Sequence, residues 1–172
     1  GVLLTRNPAL DENVTAAFVG TLSPLGDPDG SGTYRYAITG GADAHKFVIG
    51  GVNGNELRLA ANAALDFEAG DAQVNIQVID TTTGRDLFGG NSALRIRPND
   101  RNDAPDTPAA VMGASIDDGA GAGTIVSNLN LSATDPDAGD SLTYEIVGGS
   151  TLFEVFGTQL RVRSGQFVDF DA

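Results

Sequence analysis

Apolar residues in this chain occur in short stretches bounded by Gly, Asp, Asn and Pro from about Val14 onward. Within the stretches their period is two. Tyr34, Tyr36 and Ile38 alternate across residues 33–39, the spacing of one buried face of a strand. Val74, Ile76 and Val78 alternate with Asn75 and Gln77 and predict the clearest half-buried strand, over residues 74–80. Another is predicted at 92–97, with Leu94 and Ile96 inward. Phe47, Val48 and Ile49 are separated from Glu56–Leu59 by Gly50, Gly51, Asn53 and Gly54, which predicts a hairpin with a loose turn. No segment sustains a helical period, so the expected fold class is all-β.

The second half of the chain repeats the first. Asp27-Pro28-Asp29 recurs as Asp135-Pro136-Asp137, and Tyr36-Ala37-Ile38-Thr39-Gly40-Gly41 recurs at the same offset as Tyr144-Glu145-Ile146-Val147-Gly148-Gly149. At a slightly shorter offset, Leu57-Arg58-Leu59 matches Leu160-Arg161-Val162, and Leu65-Asp66-Phe67-Glu68 matches Val168-Asp169-Phe170-Asp171. Four matches in one order mark a tandem duplication with shorter loops in the second copy. The expected domains are residues 1–103 and 104–172. In the first copy two further predicted strands follow Glu68, whereas the second copy ends at Ala172. Domain 2 is therefore expected to lack its last two strands, which are either cut away or supplied by another chain.

Composition narrows the function. With 172 residues the chain allows one large domain or two of about 100. Its 23 glycines and 6% aromatic content suit many turns and two modest cores rather than one deep core. The 23 acidic residues outnumber 10 basic ones, giving a net charge of -13, which excludes the basic surface that nucleic acid or an anionic membrane requires. No apolar run is long enough for membrane insertion. There is no cysteine, so disulfides, zinc thiolates and a cysteine nucleophile are all excluded. An Ala/Gly/Asp/Arg-rich, lysine-poor composition points to a bacterial source.

The acids are clustered. Asp100, Asn102 and Asp103 place three oxygen-bearing side chains within four residues, just before Ala104-Pro105. Asp66 with Glu68, and Asp135 with Asp137, are i, i+2 pairs, which in extended chain point to one side. Carboxylates this close repel unless a cation lies among them. Six to eight hard oxygens with no nitrogen or sulfur suit calcium better than magnesium, which prefers strict octahedral geometry and retained waters. Taken singly, each cluster is also ordinary turn chemistry. A glycosidase acid and base would require an apolar cleft with an aromatic sugar platform, and these acids lie in Gly/Pro-rich turns, so no enzyme is expected. His45, the only histidine, reads as a surface loop residue. Tyr34, Tyr36, Tyr144, Phe47, Phe153 and Phe156 read as core.

The ordered set Asp11-Glu12-Asn13, Asp27-Pro28-Asp29-Gly30, Leu65-Asp66-Phe67-Glu68, Val78-Ile79-Asp80 and Asp100-Arg101-Asn102-Asp103-Ala104-Pro105 resembles the cadherin repeat, over one complete repeat and most of a second. The resemblance implies two tandem seven-stranded Greek-key β-sandwiches, with calcium bound between successive repeats, in an extracellular or cell-surface rod engaged in adhesion. Matched residue by residue, it implies calcium ligands at Glu12, Asp66, Glu68, Asp100, Asn102, Asp103, Asp135 and Asp137. Asp27, Asp29 and Asp80 correspond to the receiving half of an earlier linker, of which Asn7 is a remnant. Asp169 and Asp171 correspond to the donor half of a later one, and Asp117 or Asp118 to the glutamate at the domain start. The sequence departs from the family in lacking an asparagine between Asp103 and Ala104, and no counterpart of Asp80 is present in the second copy. The expected partners are calcium, neighbouring repeats, and a homophilic protein or carbohydrate ligand. An accessory spacer or carbohydrate-binding sandwich of a secreted enzyme, and a metal-free fibronectin-type sandwich, remain open on the sequence.

Overall fold

In the computed structural model, which describes residues 1–26, 32–86, 90–107 and 111–171, alternation of apolar and polar residues is converted directly into strands. The chain divides into two compact units, Gly1–Arg101 and Asn102–Ala172.

Unit 1 is built on β1 (Val2–Arg6), β2 (Phe18–Pro24), β3 (Tyr34–Gly40), β4 (Phe47–Gly50), β5 (Glu56–Leu59), β6 (Ala72–Asp80) and β7 (Ser92–Ile96). They form a four-stranded sheet in the order β1-β2-β5-β4 and a three-stranded sheet in the order β3-β6-β7, with every pairing antiparallel. Among the described residues the one helical element is a 3-10 turn at Ala44–Lys46, which contains the exposed His45.

The core lies between the two sheets. β6 contributes Ala72, Val74, Ile76 and Val78, all buried, because a period of two places every second side chain on the same face. From the opposite sheet come Val19, Leu22, Phe47, Leu57 and Leu59, and Leu10 and Leu65 close the end from flanking loops. Val19 and Leu22 are three residues apart and yet both are buried. The irregularity in the β2–β5 register between Phe18 and Gly20 supplies the extra residue that turns both inward. Gly20 also lies so close to β1 that a Cβ there would stand 2.5 Å from the Thr5 carbonyl oxygen. Tyr34, Tyr36 and Ile38 pack against the core from β3 as half-buried side chains.

Unit 2 has less regular structure. Its described strands are β8 (Phe153–Phe156) and β9 (Gln159–Val162), paired as a hairpin from Phe153↔Val162 to Phe156↔Gln159. Isolated bridges join Ser115 to Ser127, Gly121 to Phe167 and Ile125 to Arg161. Val126, Val162 and Val168 are its buried apolar residues. Phe156 is not a core residue as its apolar character suggests. It is 57% exposed at the hairpin end, with the Arg161 guanidinium 3.9 Å from its ring centroid. Phe153 is half-buried. So is Tyr144, whose hydroxyl accepts a hydrogen bond from the Ala133 N–H at 3.0 Å.

Candidate functional site

The acids expected as ligands lie in loops, and each unit holds its own set. In unit 1 the organising residue is Glu12, which is 2% exposed and the one charged side chain buried among the described residues. A buried carboxylate is tolerated only with full hydrogen bonding. One Glu12 oxygen accepts the Phe67 N–H at 2.7 Å and the other the Arg101 N–H at 2.6 Å. Glu12 thereby ties together the loop after β5, which carries Asp66 and Glu68, and the exit from β7, which carries Asp100. Backbone bonds reinforce the join. The Glu12 N–H donates to the Asn99 carbonyl, Asn99 N–H to the Leu10 carbonyl, and Asn13 N–H to the Leu65 carbonyl. Asn13 turns the chain away with φ of 58°, a left-handed conformation that asparagine tolerates.

Next to Glu12, Asp11 plays a different part. It accepts hydrogen bonds from Arg101 Nη2 at 2.7 Å and from Asn99 Nδ2 at 2.9 Å. The Arg101 hydrogen bond, then the Asn99 bond, holds the Asp11 carboxyl below the usual carboxylate range, and Asp11 in turn raises the Arg101 pKa. Asp11 is thus neutralised by protein groups.

The oxygens of Glu12 and Glu68 lie within 4.8 Å of each other, as do those of Glu68 and Asp100. Glu68 and Asp100 are exposed, so this edge of unit 1 presents carboxylates at distances a single metal ion can span. Asp66 is not part of that close group. Its carboxylate accepts the Ala69 N–H at 2.9 Å, closing the turn in which Glu68 sits.

In unit 2, Asn102 and Asp103 lie at the start, and the Asn102 side-chain amide donates to the Asp103 carbonyl at 2.7 Å. The Asp103 N–H donates to the Asp137 carboxylate, and the Asp137 N–H donates to Asp135 at 3.0 Å. Asp135, Asp137 and Asp140 bring oxygens within 4.8 Å of one another. Asp140 was not anticipated. Its signal was the third acid in the run Asp135-Pro136-Asp137-Ala138-Gly139-Asp140, outside the i, i+2 pair.

The structure also distinguishes Asp117 from Asp118. Phe170 N–H donates to Asp118 at 3.0 Å, as Phe67 N–H donates to Glu12, and Gly119 N–H donates to the Val168 carbonyl, as Asn13 N–H does to Leu65. Asp118 therefore occupies the position of Glu12. In the loop after β9 that Asp118 bonds through Phe170, the Asp171 N–H donates to Asp169 at 2.9 Å. Asp80, at the end of β6, caps its own turn by accepting from Thr82 N–H and Thr83 Oγ1, bonds that lower its pKa, the Thr83 hydroxyl contributing most. Asp27 and Asp29 lie outside the described residues. Asn7 is structural, its amide donating to the Phe18 carbonyl at 2.9 Å.

Chemically, the two sets consist of carboxylates and carbonyls, hard oxygen donors that can hold a metal ion, with no imidazole or thiolate among them. Among the described residues no helix is long and apolar enough to cross a membrane.

No protein-family model matches the chain, and no curated protein matches it. Solved structures do. It is similar to the EC1-2 fragment of chicken VE-cadherin at 22% identity and a TM-score of 0.50, over 91% of this chain and 78% of that one. It is also similar to the human desmocollin-1 ectodomain at 18% identity and a TM-score of 0.51, over 99% of this chain. The chain spans 34% of that ectodomain's length. With its all-β sheets and these two neighbours, the chain has a cadherin-like fold.

Proposed function

We propose that this chain is a calcium-binding module of an extracellular, cadherin-like surface protein, and that calcium stiffens it as a stalk or adhesion unit. The observation that carries the reading is the seating of Glu12. A buried carboxylate accepts backbone N–H groups from both Phe67 and Arg101, and so fixes the segments bearing Asp66, Glu68 and Asp100 next to one another. Carboxylates gathered by such a device repel, and a divalent cation relieves that repulsion. The proposed ligands are Glu12, Asp66, Glu68 and Asp100 in unit 1, and Asn102, Asp103, Asp135 and Asp137 in unit 2. An ion that takes oxygens from both sets binds one arrangement of the units better than any other, and shifts the population toward it by that difference in affinity. Extracellular modules of this chemistry bind calcium with dissociation constants of about 10⁻⁴–10⁻³ M, matched to external calcium. Neighbouring repeats and a homophilic protein or carbohydrate surface are the partners such a rod engages. The role is mechanical rather than catalytic. A lysine-poor, cysteine-free composition supports a bacterial source.

The test pairs calorimetric calcium titration with small-angle scattering in calcium and in chelator. Saturable heat in the sub-millimolar to millimolar range and a narrower distance distribution with calcium are expected. Asp103→Ala is expected to abolish the scattering response. A scattering profile identical in calcium and in chelator refutes the proposal.

A further inference from the structure

The turn between β4 and β5 carries the one Asn-Gly pair of the chain, Asn53-Gly54. It stands clear of the sandwich, with Val52 fully exposed at its tip and Asn53 exposed beside it. Gly54 adopts φ of 63°, and a Cβ built on it would meet no atom within 4 Å, so the approach to its backbone nitrogen is open. The Asn53 side-chain amide makes no hydrogen bond with any described residue. Gly54 N–H donates to the Gly51 carbonyl at 3.1 Å, a bond at the exposed end of the hairpin.

Other asparagines lack this combination. Asn7 precedes Pro8, which has no N–H. Asn55, Asn99 and Asn102 commit their amides to the carbonyls of Leu22, Pro8 and Asp103. Asn75 is on the central strand of its sheet, before the β-branched Ile76. Asn62 and Asn91 are exposed, but the side chains of Ala63 and Ser92 crowd the nitrogen that Gly54 leaves bare.

We infer that Asn53 is a site of spontaneous covalent modification, converted through a cyclic imide with Gly54 into aspartate and isoaspartate. The Gly54 backbone nitrogen, on losing its proton, attacks Asn53 Cγ. A new C–N bond forms, the Cγ–Nδ2 bond breaks, and the side-chain nitrogen leaves as ammonia with the proton that Gly54 gave up. Water then opens the ring and restores the N–H. Addition at Cγ leaves aspartate, and addition at the Asn53 carbonyl carbon leaves isoaspartate, with the main chain routed through Cβ and Cγ. Water is the only co-reactant. Both products add a carboxylate, and isoaspartate also lengthens the main chain by a methylene. The fold contains that change, because Gly50 pairs with Glu56 and Leu22 N–H donates to the Asn55 carbonyl at 2.8 Å, on the two sides of the turn. The inference is independent of calcium, and its test is run in chelator.

The full 172-residue chain is incubated at neutral and at mildly alkaline pH, beside a peptide of residues 49–58. Peptide mapping by mass spectrometry follows each asparagine, and isoaspartate-specific carboxyl methylation identifies the rearranged product. The turn bond must open before reaction, and an exposed bond of this kind slows it by no more than about tenfold relative to the peptide. Conversion of Asn53 within that factor is expected, with both products present, Asn75 unreacted and thermal unfolding unchanged. The rate is expected to rise about tenfold per pH unit, since the attacking nitrogen must lose its proton. Asn53→Gln keeps a side-chain amide but requires a larger, slower-closing ring, and is expected to abolish the reaction. Conversion slower than in the peptide by more than about a hundredfold overturns the inference. Aspartate without isoaspartate, or equal deamidation in the Asn53→Gln variant, also overturns it, because either result marks direct hydrolysis by water.

Discussion

Glu12→Ala tests whether the buried carboxylate is the clamp that holds the acid-bearing edge of unit 1. The substitution removes the acceptor of two short bonds, from Phe67 N–H and Arg101 N–H, while leaving the apolar core untouched. Hydrogen bonds to a charged group contribute about 1.5–3 kcal/mol each. Arg101 is exposed, so its freed N–H can turn to water, whereas Phe67 is half-buried and its N–H is less easily rescued. Removing one carboxylate also relieves the repulsion with Glu68, whose oxygens lie within 4.8 Å of those of Glu12. These terms together leave a loss of about 2 kcal/mol. For a domain of this size that lowers Tm by about 10 °C. The assay is thermal and urea unfolding in chelator, with the transition followed through amide resonances of β2, β5 and β6. Glu12→Gln keeps one acceptor oxygen and is expected to fall between the two. With calcium present the gap between wild type and Glu12→Ala is expected to widen, because the proposed ligand set loses a member as well. A variant that melts within about 2 °C of wild type in chelator refutes the assignment of Glu12 as a structural clamp.

Other perturbations separate the remaining terms. Glu68→Gln removes a charge whose oxygens are within 4.8 Å of both Glu12 and Asp100. At that distance each repulsion is about 1 kcal/mol in water, so the variant is expected to be slightly more stable than wild type in chelator and less stable in millimolar calcium. A shift of the same sign in both buffers counts against a shared cation. Ile76→Ala empties a fully buried position on the central strand and is expected to cost about 2–5 kcal/mol by urea unfolding. Gly41→Ala places a Cβ 2.5 Å from the Gln73 carbonyl oxygen at φ of 107°, and is expected to lower Tm and unsettle the β3–β6 junction in exchange measurements. Asp11, Asp43 and Asp80 all have carboxyl pKa values lowered in the fold, by Arg101, by the Gln73 N–H and by Thr83 respectively as the largest causes. Their contribution is therefore complete above the unfolded carboxylate pKa and is lost as pH falls through the lower folded values. Acid titration in chelator should show unit 1 stability declining from about pH 4 downward.

Strands were legible wherever one face was buried and the other was not. β6 reads from the sequence because Val74, Ile76 and Val78 alternate with polar residues and all point into one core. The extension of β6 back to Ala72 was less legible, since Asp71 and Gly70 precede it as turn residues. Val19 and Leu22 break the period of two, and only the paired β5 strand reveals the irregularity that reconciles them. Phe156 misled because aromatic character alone does not distinguish a core position from a hairpin end, where stacking under Arg161 satisfies the ring. The acids were legible as clusters, but their individual parts were not. Asp11 and Glu12 are adjacent in sequence, yet one is neutralised by Arg101 and the other is buried among backbone N–H groups. That difference depends on Asn99 and Arg101, far along the chain.

The duplication sharpens the contrast between Glu12 and Asp118. Both accept the N–H of the phenylalanine in an acid-Phe-acid loop, Phe67 in one copy and Phe170 in the other. Glutamate has one more methylene, and its second oxygen reaches the exit strand at Arg101. Asp118 is shorter and more exposed, and its bond to Phe170 joins two segments rather than three. A clamp that gathers three segments requires the third to be in place, and in unit 1 β7 delivers it directly after pairing with β6. The strands that cover the core and the acids that face solvent are therefore coupled. β6 and β7 bury Ile76 and Ile96, and the same β7 positions Asn99, Asp100 and Arg101 for Glu12 and Asp11.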